Sequence, residues 1–284
     1  MKVLNLVSKL EGLPLLRKIS PSHQDVPTAE TKQGFLECQR LAENGAHEVA
    51  SLIREGWTEK RAAEMLETFL RDSGVKVFFH HSYAWFGERT RFDGVRKYRE
   101  YMPSDRAIRE GEIFILDVAP ILNGFTADIG FTSCLGENLE WKKAQSFLQT
   151  LREEIPALFS EGSPGSAAWD AIDQKIEKAG FENIHKKYPF SVLGHRVHQN
   201  ISERFDMKYL NFGWQSYWSI ASRGIFGQLL NRHHQGDLTG LWAIEPHIGT
   251  LHSDGRNRFG AKFEEILVVE PTRAYWLESE RTWQ

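Results

Sequence analysis

Two aspartates, Asp117 and Asp128, stand eleven positions apart inside the apolar run FILDVAPILNGFTADIGFT, residues 114–132. An unpaired carboxylate is costly to bury, so this run predicts a positive partner opposite both. Further along, His195 lies in SVLGHRVH, Glu245 in LWAIEPH, and Glu264 or Glu265 in KFEEILVV. Any one carboxylate in a strand could face solvent on the open side of an antiparallel sheet, and a lone strand histidine is more often core than ligand. Four carboxylates and an imidazole in apolar surroundings are harder to explain that way. A cation is the simplest means of holding such charges ionised. Oxygen-rich donors with one imidazole suit Mn, Fe(II), Co or Zn, and four carboxylates exceed what one catalytic zinc takes. Two divalent ions ~3.5–4 Å apart would use all five ligands and leave room between them for a nucleophilic water. Without metal the carboxylates would repel one another, so removing one is expected to leave the fold unharmed or firmer.

Strands must present these residues. Residues 1–28 read as an N-terminal arm, with the linker-like ISPSHQDVPTAE, and 29–284 as one domain. Over Thr31–Arg54, Phe35, Leu41, Ala42, Ala46, Val49 and Ile53 recur at helical steps, and a second helix opens on the N-cap candidate Thr58. VKVFFHHSYAWFG reads as a strand, followed by the two apolar arms joined across PILNG. Two more helices are expected over LEWKKAQSFLQTLREEIPALFSEG and SAAWDAIDQKIEKAG, then strands over YPFSVLGHRVH, GLWAIEPHIG and AKFEEILVVEP. This order predicts an α+β fold, with helices packed on one face of a curved antiparallel sheet. Alternation cannot choose between Glu264 and Glu265, because neighbours on a strand face opposite ways.

The formal net charge of −3 leaves no basic excess, which argues against a nucleic-acid partner. Two well-separated cysteines make no disulfide framework, and a cytoplasmic setting is expected. No apolar run approaches the ~20 residues of a membrane span, and the N-terminus is too broken by charge for a signal peptide.

The motif order resembles that of the pita-bread metallopeptidases (peptidase family M24), which include methionine aminopeptidase, aminopeptidase P, prolidase and creatinase. The likeness runs from about residue 31 to the C-terminus. ECQRLAENGAHEVASLIREGWTEKRAAEMLETFLRDSG resembles the family's paired helices, and REGEIFILDVAPILNGFTADIGFT its aspartate hairpin. GHRVH, WAIEPHIG and KFEEILVVE are similar to its histidine turn, its Ile-Glu-Pro segment and its terminal strand. The resemblance implies the pita-bread fold and two divalent metal ions. It implies Asp117 on one ion, Asp128 and Glu264 bridging both, and His195 and Glu245 on the other, with Glu264 also moving a proton. The sequence departs from the family around the substrate. Arg196 replaces a glycine, His247 follows Glu-Pro, and the expected downstream histidine is displaced. The departing amine needs a donor, for which His80, His81, His198 and His247 are candidates, with His198 favoured and His81 next.

The resemblance therefore implies a hydrolase of amide bonds, an aminopeptidase or Xaa-Pro-type peptidase acting at a free N-terminus. A C–N hydrolase acting on a small non-peptide amide is the alternative, and a catalytically inactive binding member the third reading. The aromatic insertion 202–240 could serve as core, as a homodimer contact or as a pocket wall for an apolar substrate.

Overall fold

The computed structural model describes residues 26–159, 163–199, 209, 227–236 and 238–278. The N-terminal arm up to residue 25, and the insertion aromatics Phe212, Trp214, Tyr217, Trp218 and Phe226, lie outside the described residues. Helix α1, Ala29–Leu52, buries Phe35, Cys38, Ala42, Ala46 and Val49 along one stripe, as an amphipathic helix on a sheet must. Helix α2, Glu59–Asp72, begins at Thr58, whose hydroxyl accepts from Arg61 N and so satisfies one free N–H of the first turn. Helices α3, Leu139–Leu158, and α4, Gly165–Lys178, form the second pair. Asn138 caps α3 by accepting from Glu140 N and Trp141 N.

The chain adds fourteen short strands among the described residues, and every strand pair is antiparallel. The first six are β1 (Val77–Phe78), β2 (Tyr83–Phe86), β3 (Ile113–Val118), β4 (Pro120–Leu122), β5 (Phe125–Thr126) and β6 (Ile129–Cys134). The rest are β7 (Glu182–Asn183), β8 (Gly194–Arg196), β9 (Leu229–Leu230), β10 (Gly240–Ile244), β11 (His247–Gly249), β12 (Gly260–Lys262), β13 (Glu265–Glu270) and β14 (Arg273–Trp276). They make sheets ordered β2-β3-β6, β1-β4-β5, β14-β13-β10-β8-β9 and β12-β11-β7.

Two helix pairs cover two cores. α1 and α2 close over Leu66, Phe78, Phe86, Phe114 and Leu116. α3 and α4 close over Trp169, Trp242, Phe263 and Leu267. A seam joins the halves where Glu264 N donates to Gly130 O (3.0 Å). One step along, Thr132 Oγ1 donates to Lys262 O (2.6 Å) and accepts from Lys262 N (2.9 Å).

This is the expected class of helices on antiparallel sheet, but three strands read as continuous are interrupted. VKVFFHHSYAWFG splits into β1 and β2, with His80 and His81 in the break. GLWAIEPHIG splits at Glu245–Pro246, because proline has no N–H for the ladder. AKFEEILVVEP splits at Phe263–Glu264, where the chain leaves β11, bridges to Gly130 and then joins β10. The predicted hairpin is also divided. β3 and β6 pair below, β4 and β5 pair above, and Asn123 (φ 52°) and Gly124 (φ 82°) turn the tip, the left-handed pair a tight hairpin turn requires. Interruptions free backbone from regular pairing, and two of them fall on the glutamates of interest.

Candidate metal centre

Five strand regions converge on one buried volume. Asp117 is near the end of β3 and faces Gly130 across the pair. Asp128 directly precedes β6, His195 is the middle residue of β8, Glu245 follows β10, and Glu264 lies between β12 and β13. All five are buried. His195 Nε2 is 3.2 Å from Asp128 Oδ2 and 3.8 Å from Glu264 Oε1. Asp128, His195 and Glu264 thus offer ligand atoms within 4.8 Å of one another, and so do His80, Asp117 and Asp128. His80 Nε2 is 3.2 Å from Asp128 Oδ1 and 3.6 Å from Asp117 Oδ1.

Glu245 and Asp117 meet through a lysine. Lys262 Nζ lies 2.6 Å from Asp117 Oδ2, 2.9 Å from Glu264 Oε2 and 3.1 Å from Glu245 Oε2. The positive partner demanded by the two aspartates is therefore supplied partly by the chain itself. The sequence carries a signal for this: Lys262 and Glu264 are two apart, and such residues share a face of an extended segment.

Glu264 and Glu265 are separated by their partners. Glu265 points away into a bidentate pair with Arg152, whose Nε and Nη2 donate to its two oxygens at 2.7–3.0 Å. Gln39 of α1 steadies the next residue by accepting from Ile266 N (2.9 Å). Another buried carboxylate, Glu59, is held by Phe86 N, Arg89 and Ser104 and serves the loop rather than the centre.

Charge is distributed unequally. Burial disfavours ionised Asp128, but the charge of His80 and hydrogen bonds from both histidines outweigh it and hold its carboxyl far below the usual range. Burial pushes the Glu264 carboxyl well up, reinforced by the charges of Asp128 and Glu245, and burial likewise raises Glu245. Burial opposes the His80 imidazolium, yet Asp128 and Asp117 raise it to about 9. Its Nδ1 lies 2.7 Å from His81 O, an acceptor that only an N–H can use.

The other histidines lie elsewhere. β8 ends at Arg196, so His198 is beyond the strand, with Nε2 2.7 Å from Gln228 Oε1. The His81 ring packs against Tyr209, tilted by 39° with centroids 3.9 Å apart. His247 Nδ1 pairs with Tyr188 Oη at 2.8 Å. Arg196 lies over the Trp242 ring and donates to the carbonyl of Gly227. Of the four candidate histidines, His80 is the one that meets both aspartates. It is set apart by the break between β1 and β2, which the β-rich sequence around it conceals.

The donor set fits a divalent ion. Carboxylate oxygens and an imidazole nitrogen converge at Asp128, His195 and Glu264, the hard-to-borderline mixture that such ions take. Around Asp117, Glu245 and the second Glu264 oxygen, the ammonium of Lys262 stands among the donors.

The sequence pattern of metallopeptidase family M24 matches residues 33–271. Methionine aminopeptidase of Archaeoglobus fulgidus is 26% identical over 144 residues, 50% of this chain and 47% of that protein. Methionine aminopeptidase of Aquifex aeolicus is 29% identical over 98 residues, 34% of this chain and 37% of that protein. The chain thus spans about half the length, or less, of these curated relatives. X-Pro aminopeptidase from Thermotoga maritima superposes with a TM-score of 0.64 at 18% identity, covering 90% of this chain and 63% of that one. Methionine aminopeptidase from the same organism gives a TM-score of 0.61 at 17% identity, over 91% and 100%. Likeness at that identity speaks for the fold.

Proposed function

The chain belongs to metallopeptidase family M24, and from that premise we propose that it is a divalent-metal-dependent hydrolase of amide bonds, acting on small peptides at a free N-terminus. The observation that carries this is the convergence of Asp128, His195 and Glu264, from three separate strand regions, within 4.8 Å. When bound there, an ion lowers the pKa of a water and polarises a carbonyl. The residues do the remaining work. In the metal-free chain His195 Nε2 and Asp128 Oδ2 lie 3.2 Å apart, so both side chains already face the place where an ion would replace the shared proton. Glu264, buried between Lys262 Nζ and His195 Nε2, is placed to accept a proton and return it. His80 is held by the His81 carbonyl and Asp128, and is the histidine best placed to assist the departing amine. We place the hydrolase domain over residues 29–284 and the protein in the cytoplasm; among the described residues no helix is long and apolar enough to cross a membrane. Mn, Co, Fe or Zn would suit the donors. Two ions would require Lys262 Nζ to leave its three carboxylates.

One observation favours the second reading, a small non-peptide amide as substrate. His198 is engaged with Gln228 and His81 with Tyr209, so the substrate-side histidines expected of a peptidase are committed elsewhere. The test is turnover by the Mn- or Co-loaded chain on a panel of short peptides, including methionyl and Xaa-Pro termini, beside small amides. Metal-dependent cleavage of peptides alone is the expected result. Cleavage confined to small amides overturns the peptide assignment, and a chain inert toward both overturns the hydrolase.

A further inference from the structure

We propose that Lys262 is a resident cation that stands in place of a second ion among the centre's carboxylates, so that the wild-type chain takes a single divalent ion. This rests on the metal-dependent reading above. The oxygens divide between two positions. Asp117 Oδ2, Glu245 Oε2 and Glu264 Oε2 surround Lys262 Nζ at 2.6–3.1 Å. The other oxygen of Glu264 faces His195 Nε2 at 3.8 Å, alongside Asp128, and the other oxygen of Asp117 faces His80. An ammonium has three N–H donors and no acceptor, and here three carboxylates from three strand regions meet it.

The fold is built around this side chain. Gly130 is the cross-strand partner of Asp117, and a Cβ there would overlap Lys262 Cε. The missing side chain is the space through which the lysine stem passes. Thr132, two residues on, pins the Lys262 backbone through both its N–H and its carbonyl. Lys262 is only 3% exposed. An ion at the same three oxygens would sit ~2.0–2.2 Å from each, within the volume of the ammonium, and two cations cannot share that place. An ion at Asp128, His195 and the remaining Glu264 oxygen meets no such obstacle. With one lysine and one divalent ion the four carboxylates are nearly neutralised, as two divalent ions would do in a centre lacking the lysine.

The experiment is titration of the metal-stripped full chain with Mn(II), read by elemental analysis after desalting and by calorimetry, on wild type, Lys262→Met and Gly130→Ala. The expected result is about one equivalent for wild type and about two for Lys262→Met, whose metal-free melting temperature falls while its gain on Mn(II) addition exceeds that of wild type. Gly130→Ala, whose Cβ would overlap Lys262 Cε and only crowd Glu264 Cβ at 3.2 Å, is expected to displace the flexible lysine end first and move uptake toward two as well. If Lys262→Met folds only with Mn(II) present, its content after refolding is the readout. Two equivalents in wild type overturn the inference while leaving the metal-dependent hydrolase intact, as does one equivalent in all three proteins. No uptake by any of them overturns the metal-dependent reading itself.

Discussion

Replacing Asp128 with asparagine separates two views of the centre. If carboxylate repulsion dominated the metal-free fold, removing a charge would firm it. The geometry gives the opposite sign, because positive or proton-bearing groups are interleaved with the carboxylates. Asp128 Oδ1 accepts from His80 Nε2 and Oδ2 from His195 Nε2, each at 3.2 Å. Asparagine keeps one acceptor and turns an NH2 toward the other histidine. One charge-assisted hydrogen bond is lost, about 1.5–3 kcal/mol. At ~2–4 °C per kcal/mol for a chain of this size, the metal-free variant should melt roughly 3–12 °C below wild type. Metal addition acts separately. An ion at about a hundred times its Kd stabilises wild type by ~2.7 kcal/mol, and the variant should lose most of that gain. The assay is thermal unfolding by circular dichroism, each protein with and without Mn(II). A metal-free Asp128→Asn melting above wild type would refute the interleaved-charge argument, and an equal gain from Mn(II) would remove Asp128 from the centre.

Arg152→Leu should cost about 3–5 kcal/mol in urea unfolding, since it strands the fully buried Glu265 carboxylate, and Glu265→Leu added to it should recover much of the loss; a single variant within 1 kcal/mol of wild type would show the pair to be dispensable. His185 is buried edge-on against Trp169, with neither ring nitrogen hydrogen-bonded among the described residues, and burial depresses its pKa to about 3. Its neutral form contributes stability that is complete above the unfolded value of 6.5 and is lost as pH falls toward 3. At 1.36 kcal/mol per unit the loss reaches at most ~5 kcal/mol. In urea titrations from pH 7 to 4, His185→Leu should show a shallower decline than wild type, and parallel curves would mean that the folded state protonates His185 freely.

The helices were legible because their signals are local. Three- and four-residue spacing, Thr58 as a cap and proline or glycine at the ends all lie within a few residues of the structure they specify. Asp117, Asp128, His195, Glu245 and Glu264 were legible as chemistry because a carboxylate in an apolar strand is conspicuous wherever its partner lies. Where the strands break was not legible. The β-branched and aromatic run around His80 carries no mark of the gap between β1 and β2, because that gap is imposed by the change of partner strand. Lys262 was missed for a related reason. Its reach depends on the bare Cα of Gly130, far away in sequence, so neither residue alone announces the contact. Glu264 and Glu265 were indistinguishable by pattern and are told apart by Arg152 on a distant helix.

The seam between Gly130 and Glu264 also bears on when the centre can be completed. The centre's donors come from segments spread between His80 and Glu264, and no local unit of the chain holds more than a fraction of them. Each half can collapse around its own helix pair without completing the centre. An ion held at Asp128, His195 and Glu264 would thus be bound only after the two halves have docked. Such an ion would act late, on the native side of the folding barrier, lengthening the lifetime of the folded chain by slowing unfolding and leaving the rate of its formation almost untouched.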